Sequence, residues 1–286
     1  MFILTSLENV QKYFTELHHI LVKYNLMDNP ESIYNVDEKG IQQNFKPSFV
    51  VGPRDSTTNV ITSEKSNTTT ILGCGNAIGQ QIPPYFVFAG ARMRSELLEG
   101  ASPGAQGTVS KTGWSNGEVF KNYLETHFIN YANGKRPLLL LYDGHRSHIS
   151  PSIIDWATEH DIILYVLPPH TSHILQHMDV GCFGPFSKVY SNECGKFQRE
   201  TGKIVDRYNV CMIACKAYAT ALSVKNLQGA FKKSGIYPFC PDSVDTDLFE
   251  TNKLRSELQS SYTEELCQSV APDHDQPESD LDETIP

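Results

Sequence analysis

The residues with the most chemical promise fall in two stretches: LYDGHRSH, ending at His148, and LPPHTSHILQHMD, running from Leu167 to Asp179. They combine two carboxylates, Asp143 and Asp179, with five histidines, His145, His148, His170, His173 and His177. Carboxylates suit hard divalent ions such as Mg²⁺, which take oxygen ligands and keep several waters. The imidazoles raise zinc as a rival. Neither a Ser-His-Asp signature nor a C-x-x-C pair is present, so the sequence suggests no covalent nucleophile and no zinc ribbon.

Asp143 is delivered by the run Leu138 to Tyr142, four leucines and a tyrosine, which suits a strand covered on both faces. Gly144 breaks the run where the backbone must turn. A short helical pattern follows, then a second strand from Ile162 to Leu167, stopped by Pro168 and Pro169. Strand, helix and strand in series read as a parallel crossover unit, and ligands of open α/β sheets gather at the carboxyl ends of such strands. Upstream, Ile33 to Gly40 reads as a strand carrying Asp37 and Glu38. Successive side chains on a strand point to opposite faces, so only one of these two acids can serve a given site.

The other elements follow from periodicity. Residues 69–75 and 84–90 read as antiparallel strands joined by a turn at Asn76 to Gly79. A helix from Ser6 to Tyr24 has one apolar face, and Ser115 and Glu118 have capping-box spacing before a helix over 119–129. Residues 42–68 read as an exposed loop or ragged hairpin, and 91–113 carry little structural signal. After Asp179 the pattern is helical: Phe183, Phe186, Val189 and Tyr190 line one side with Lys188 near the other, further helices fit 206–222 and 224–233, and Gly235 supplies a stop. The order predicts an α/β fold with a mixed sheet, an antiparallel meander first and parallel additions after.

The chain has 286 residues, 40% of them apolar, enough for one substantial core with or without a helical appendage. No apolar run approaches the roughly 20 residues of a membrane span, and Met1-Phe2-Ile3-Leu4 lacks the features of a signal peptide, so an intracellular protein is expected. Seven cysteines, an odd number, argue against a disulfide framework, and Cys211 and Cys215, one helical turn apart, are expected to pack in a core. The net charge of -9 is uneven. Residues 261–286 hold eight acidic and no basic side chains, leaving -1 for residues 1–260. That acidic segment reads as disordered, and the body is near neutral.

Four blocks carry a resemblance: NVDE at 35–38, LYDGHRSH at 141–148, LPPHTSH at 167–173 followed by Leu175, Gln176 and Asp179, and FKKSGIYP at 231–238. Together they resemble the catalytic domain of DDE-superfamily transposases, in the pogo, Tigger and jerky-like branch related to mariner elements. The resemblance implies an RNase H-like fold over residues 31–240, with a core at about 31–200, a helical extension at 201–240, a connecting helix within 1–30 and an acidic tail at 241–286. It implies a triad of Asp37, Asp143 and Asp179, acting as both catalytic residues and metal ligands for Mg²⁺ or Mn²⁺, with two ions. His145, His148, His170 and His173 fall where the family tends to have histidine, beside the acids, and are expected with Lys188 to support the ligands or face phosphate. The implied activity is DNA phosphodiester cleavage and strand transfer in the nucleus; the alternative is a domesticated, catalytically silent DNA- or chromatin-binding protein.

Two departures stand out. The family usually places Pro-Leu before the third acid, whereas His177 and Met178 stand here. Family members also carry helix-turn-helix modules upstream, and only 36 residues precede Asp37. A domesticated fragment or incomplete copy is therefore expected, with DNA contacts supplied by a partner or a homodimer.

The chemistry of three carboxylates stands by itself. Cleaving a phosphodiester means stabilising charge on phosphorus while activating water or a 3′-hydroxyl, and two divalent ions about 3.5–4 Å apart clamp both oxygens. Each acid also has a plain structural role open to it. Asp143 before Gly144 is a common turn former, Asp179 suits a helix N-terminus, and Asp37 can pair with a lysine.

Overall fold

The computed structural model describes residues 7–42, 68–144, 150–169 and 171–244. Its centre is a six-stranded sheet of β1 (Ile33–Ile41), β2 (Thr69–Asn76), β3 (Gln81–Ala89), β4 (Gln106–Ser110), β5 (Leu138–Tyr142) and β6 (Ile162–Val166), in the order β4-β3-β2-β1-β5-β6. β1, β2 and β3 form an antiparallel meander, turned between β2 and β3 at Gly79, whose φ is +91°. β5 joins β1 in parallel and β6 joins β5 in parallel through helix α4 (Pro151–Glu159). This is the mixed sheet expected from the order of elements, an antiparallel meander followed by parallel additions.

Strand alternation divides the core in two. Tyr34 and Val36 of β1 and Leu138, Leu140 and Tyr142 of β5 join Ile153, Trp156 and Ala157 of α4 on one face. The same face packs Val119, Phe120 and Tyr123 of α2 (Gly117–Tyr123), which continues through a π-helical turn at Leu124–Phe128 into α3 (Ile129–Tyr131). The other face is covered by α6 (Phe183–Thr201), α7 (Val210–Ala221) and α8 (Val224–Lys233), with Phe183, Phe186, Ala214 and Leu227 buried there. Cys211 and Cys215 are buried in this layer, as their spacing suggested. Helix α1 (Leu7–Lys23) buries Val10, Tyr13, Phe14, Leu17 and Leu21; Tyr13 stacks on Tyr165 of β6, ring centroids 5.2 Å apart.

Three local readings change. Strand β4 lies inside the stretch that carried no signal: QGTVS has one apolar branched residue and exists because the outer edge of β3 offers it a parallel partner. The α2 cap is Asn116, whose side chain accepts from the Val119 N–H at 3.0 Å, one position beyond the expected Ser115. α7 begins at Val210 rather than near 206 because the Asp206 carboxylate accepts from the N–H groups of Tyr208 and Asn209, while the Asn209 side chain accepts from the Asp206 N–H. Such local side-chain bonds offer the backbone a turn in place of a helix.

One irregularity bears on the site. The β2–β3 register shifts between Leu72 and Cys74, opposite Pro83 and Pro84, which have no N–H to give to a ladder. The Tyr218 hydroxyl of α7 repairs the gap, accepting from the Cys74 N–H at 3.2 Å and donating to the Ile82 carbonyl at 2.8 Å. Gly73, at the shift, is the partner of Asp37, and a Cβ there would meet the Phe183 ring at 3.0 Å. The absent side chain lets α6 settle close to the strand that carries Asp37.

Candidate active site

β1 is longer than its parallel neighbour. Val36 pairs with Tyr142, the last residue of β5, so Asp37 and Asp143 occupy the next position on two adjacent strands. Parallel neighbours in register point to the same face. That face carries Asn35, Asp37 and Lys39 from β1, the alternates of Tyr34 and Val36, and lies under α6, α7 and α8. Glu38 falls on the opposite side, as the alternation required. Asp179 arrives from the π-helical turn Met178–Cys182, which links α5 (Ser172–Leu175) to α6.

Asp143 and Asp179 act on the carboxyl of Asp37, and Asp143 acts on that of Asp179. Burial first, then repulsion from Asp179, raises the Asp37 pKa well above the usual carboxylate value; the Glu38 N–H hydrogen bond offsets part of this, and Asp143 adds further repulsion. Asp179 lies on an exposed residue, yet its carboxyl is also raised, by desolvation first; Lys39 pulls it down and Asp143 pushes it up. Neighbouring like charges disfavour the ionisation of Asp37 and Asp179, and a cation bound beside them would relieve it. Asp37, midway along β1, thus has Asp143, just past the end of β5, and Asp179, in the turn before α6, near enough to act on its carboxyl.

The chemistry of the donor set fits a hard divalent ion, since the gathered groups offer only oxygen. Among the described residues, however, no three His, Cys, Asp or Glu side chains stand close enough to hold a metal ion. The acids converge on one face without closing into a shared shell.

The supporting residues divide unevenly. His145, His148 and His170 lie outside the described residues. His173 is exposed on α5 and Lys188 is exposed on α6. The basic group that acts on Asp179 is instead Lys39, whose Nζ also lies 5.8 Å from the Phe183 ring centroid. Its position was readable, because Lys39 follows Asp37 by two and a strand repeats its face every two residues. His177 is fully buried, its ring 4.3 Å from Phe231, and burial lowers its pKa to about 3. It is a neutral packing group here, and with His173 facing solvent the described histidines do not gather into a zinc site.

Two buried amides also belong to this face. Asn35 donates to the Leu141 carbonyl at 3.0 Å and to the Gln176 side-chain oxygen at 2.6 Å, and its own oxygen accepts from the Met178 N–H at 3.2 Å. Both lie inside blocks quoted for the resemblance, yet nothing in spacing alone pairs residues 141 positions apart.

The family of DDE superfamily endonucleases matches residues 65–231, a span that includes Asp143 and Asp179 and begins after Asp37. The chain belongs to the DDE superfamily of endonucleases. A curated relative, named MFS-type transporter clz9, of Cochliobolus lunatus, is 31% identical over 229 residues, which are 78% of this DDE chain and 25% of that relative. The chain thus spans about a quarter of the length of the curated relative it matches. Among the described residues no helix is long and apolar enough to cross a membrane. Solved structures of Mos1 transposase are similar at low identity. Its catalytic domain has a TM-score of 0.40 at 12% identity, covering 81% of this chain and 96% of that one. The Mos1 mariner paired end complex with Mn has a TM-score of 0.44 at 13% identity, covering 84% and 65%.

Proposed function

We propose that this DDE domain is a transposase-derived endonuclease of the pogo, Tigger and jerky-like branch, acting in the nucleus. It cleaves DNA phosphodiesters and transfers strands with Mg²⁺ or Mn²⁺ held by Asp37, Asp143 and Asp179. The observation that carries the reading is the β1–β5 register, in which Asp143 follows the last strand pair beside Asp37, on the face to which the Asp179 turn is also delivered. Support for the branch comes from the four sequence blocks, and the catalytic domain is taken as residues 31–240.

When bound, two ions would supply charge stabilisation and an activated oxygen nucleophile. The chain's own contribution is placement. Asp37 is fixed by its pairing with Gly73 of β2, one residue past the last β1–β5 pair, Asp143 by the end of β5, and Asp179 by the turn into α6. Lys39 moderates the repulsion on Asp179 and offers a cation on the same face. Glu38, on the other face, takes no part. The near-neutral charge of residues 1–260 makes a homodimer or partner the expected source of phosphate contacts.

The test is nicking or strand transfer by the purified chain on a DNA duplex with a precleaved end, with and without Mg²⁺ or Mn²⁺. Asp143→Asn is expected to abolish metal-dependent product and Glu38→Ala to retain most of it. Metal-dependent activity that survives Asp143→Asn refutes the mechanism. The second reading, a catalytically silent DNA- or chromatin-binding protein, is favoured by the three acids stopping short of a metal-holding group; absence of product from the wild type even on precleaved ends selects it.

A further inference from the structure

We propose that Asn35 and Gln176 are positioning residues that set where Asp179 stands relative to Asp37 and Asp143, and so tune the affinity of the site for a divalent cation. The inference rests on the metal-binding reading above and deepens it. One side chain reaches all three acid-bearing segments. Asn35 is two residues before Asp37 on β1; it donates to Leu141, two residues before Asp143; and it bonds Gln176 and Met178, three residues and one residue before Asp179.

Only a carboxamide does this. Its nitrogen supplies two donors for the Leu141 carbonyl and the Gln176 oxygen, and its oxygen receives the Met178 N–H. A carboxylate at 35 would turn an acceptor toward two acceptors, and an aliphatic group would leave an N–H and a side-chain amide buried without partners. Asn35 and Gln176 are both fully buried, so the exchange with water that makes surface amides interchangeable is not open to them.

The turn is held from its far side too. A Cβ on Gly181 would meet the Ala230 Cβ of α8 at 2.6 Å, and the His177 ring rests on Phe231 of the same helix. The Asp179 turn is thus wedged between the Asn35 amide on the sheet and α8. Releasing one side leaves the other pushing, and the carboxylate moves. Groups that orient ligands from behind are typically worth about 10–100-fold in metal affinity.

Mn²⁺ binding to the full chain, followed by water-proton relaxation, separates this role from a merely structural one. Gln176→Met keeps the side-chain volume and removes the acceptor; Asn35→Asp removes the donors. Ser32→Ala is the stability control, since it deletes a part-buried hydrogen bond, to the Lys135 carbonyl at 2.8 Å, just before β1 and on none of the segments that carry the acids. Expected is a fall in Mn²⁺ affinity of about tenfold or more for Gln176→Met, with a cooperative thermal transition retained and with Ser32→Ala binding like wild type. Should Asn35→Asp fail to fold, Gln176→Met carries the test. Equal Mn²⁺ affinity in wild type and Gln176→Met overturns the inference and leaves the metal site standing. A wild-type chain that binds no Mn²⁺, or binds it equally after Asp143→Asn, overturns the metal reading and this inference with it.

Discussion

The two faces of the sheet are made from the same strands and differ in kind. Under α2 and α4, β1 and β5 present Tyr34, Val36, Leu138, Leu140 and Tyr142, and the packing is aromatic and aliphatic throughout. Under α6 to α8, the alternate residues of β1 present Asn35, Asp37 and Lys39, joined by Asp143 where β5 stops. One residue along the strand separates a group that only packs from one that can do chemistry. A slip of one position in the β1–β5 register would exchange the two sets, so the apolar face fixes the register that the acids depend on.

That contrast can be broken most severely at the acids. Beyond the loss expected for Asp143→Asn, on the order of 10³-fold or more, the double variant Asp143→Asn/Asp179→Asn should fall no further, since groups that act as a unit lose their effect together. Additive losses in the nicking assay would mean that the acids work independently. On the packing face, Phe120→Ala should cost about 3–5 kcal/mol in denaturant unfolding, and the folded fraction should keep its activity per molecule. A specific loss of activity there would end the division of labour between faces.

Smaller effects sharpen it. Gly181→Ala must push the Asp179 turn away from Ala230 and should cost about 1–3 kcal/mol, with activity falling more than stability alone explains. Unchanged activity would show that the turn tolerates displacement.

Asp37→Asn tests the electrostatics by its sign. The folded carboxyls of Asp37 and Asp179 titrate above their ordinary value, so their contribution to stability is complete below about pH 4 and is lost as pH rises through the raised values. The metal-free Asp37→Asn chain should therefore melt above wild type at neutral pH and vary less with pH from about pH 4 upward. A lower Tm at neutral pH contradicts the repulsion argument. Lys188→Ala, exposed on α6, should change stability by no more than about 0.5 kcal/mol, whereas Lys39→Ala should raise the pKa of Asp179, read from the carboxyl titration by NMR.

Much of this molecule could be read before folding. The apolar run before Asp143, the alternation around Asp37 and the one-sided helices each report a local period, and a period of two or 3.6 residues needs no partner to be seen. The antiparallel meander and the parallel additions after it followed from the sequence of elements, and Lys39 was available from the same alternation that separated Asp37 from Glu38. Tertiary structure decided the rest. β4 is a strand only because β3 leaves an edge open. The α2 cap moved one residue because Asn116, not Ser115, met the free N–H of Val119. His177 became a neutral packing group because Phe231, 54 positions later in the chain, lies against it. The amide bond between Asn35 and Gln176 spans 141 positions. Local pattern states which face a side chain takes; which distant group it meets there is set by the packing of α6 to α8 on the sheet.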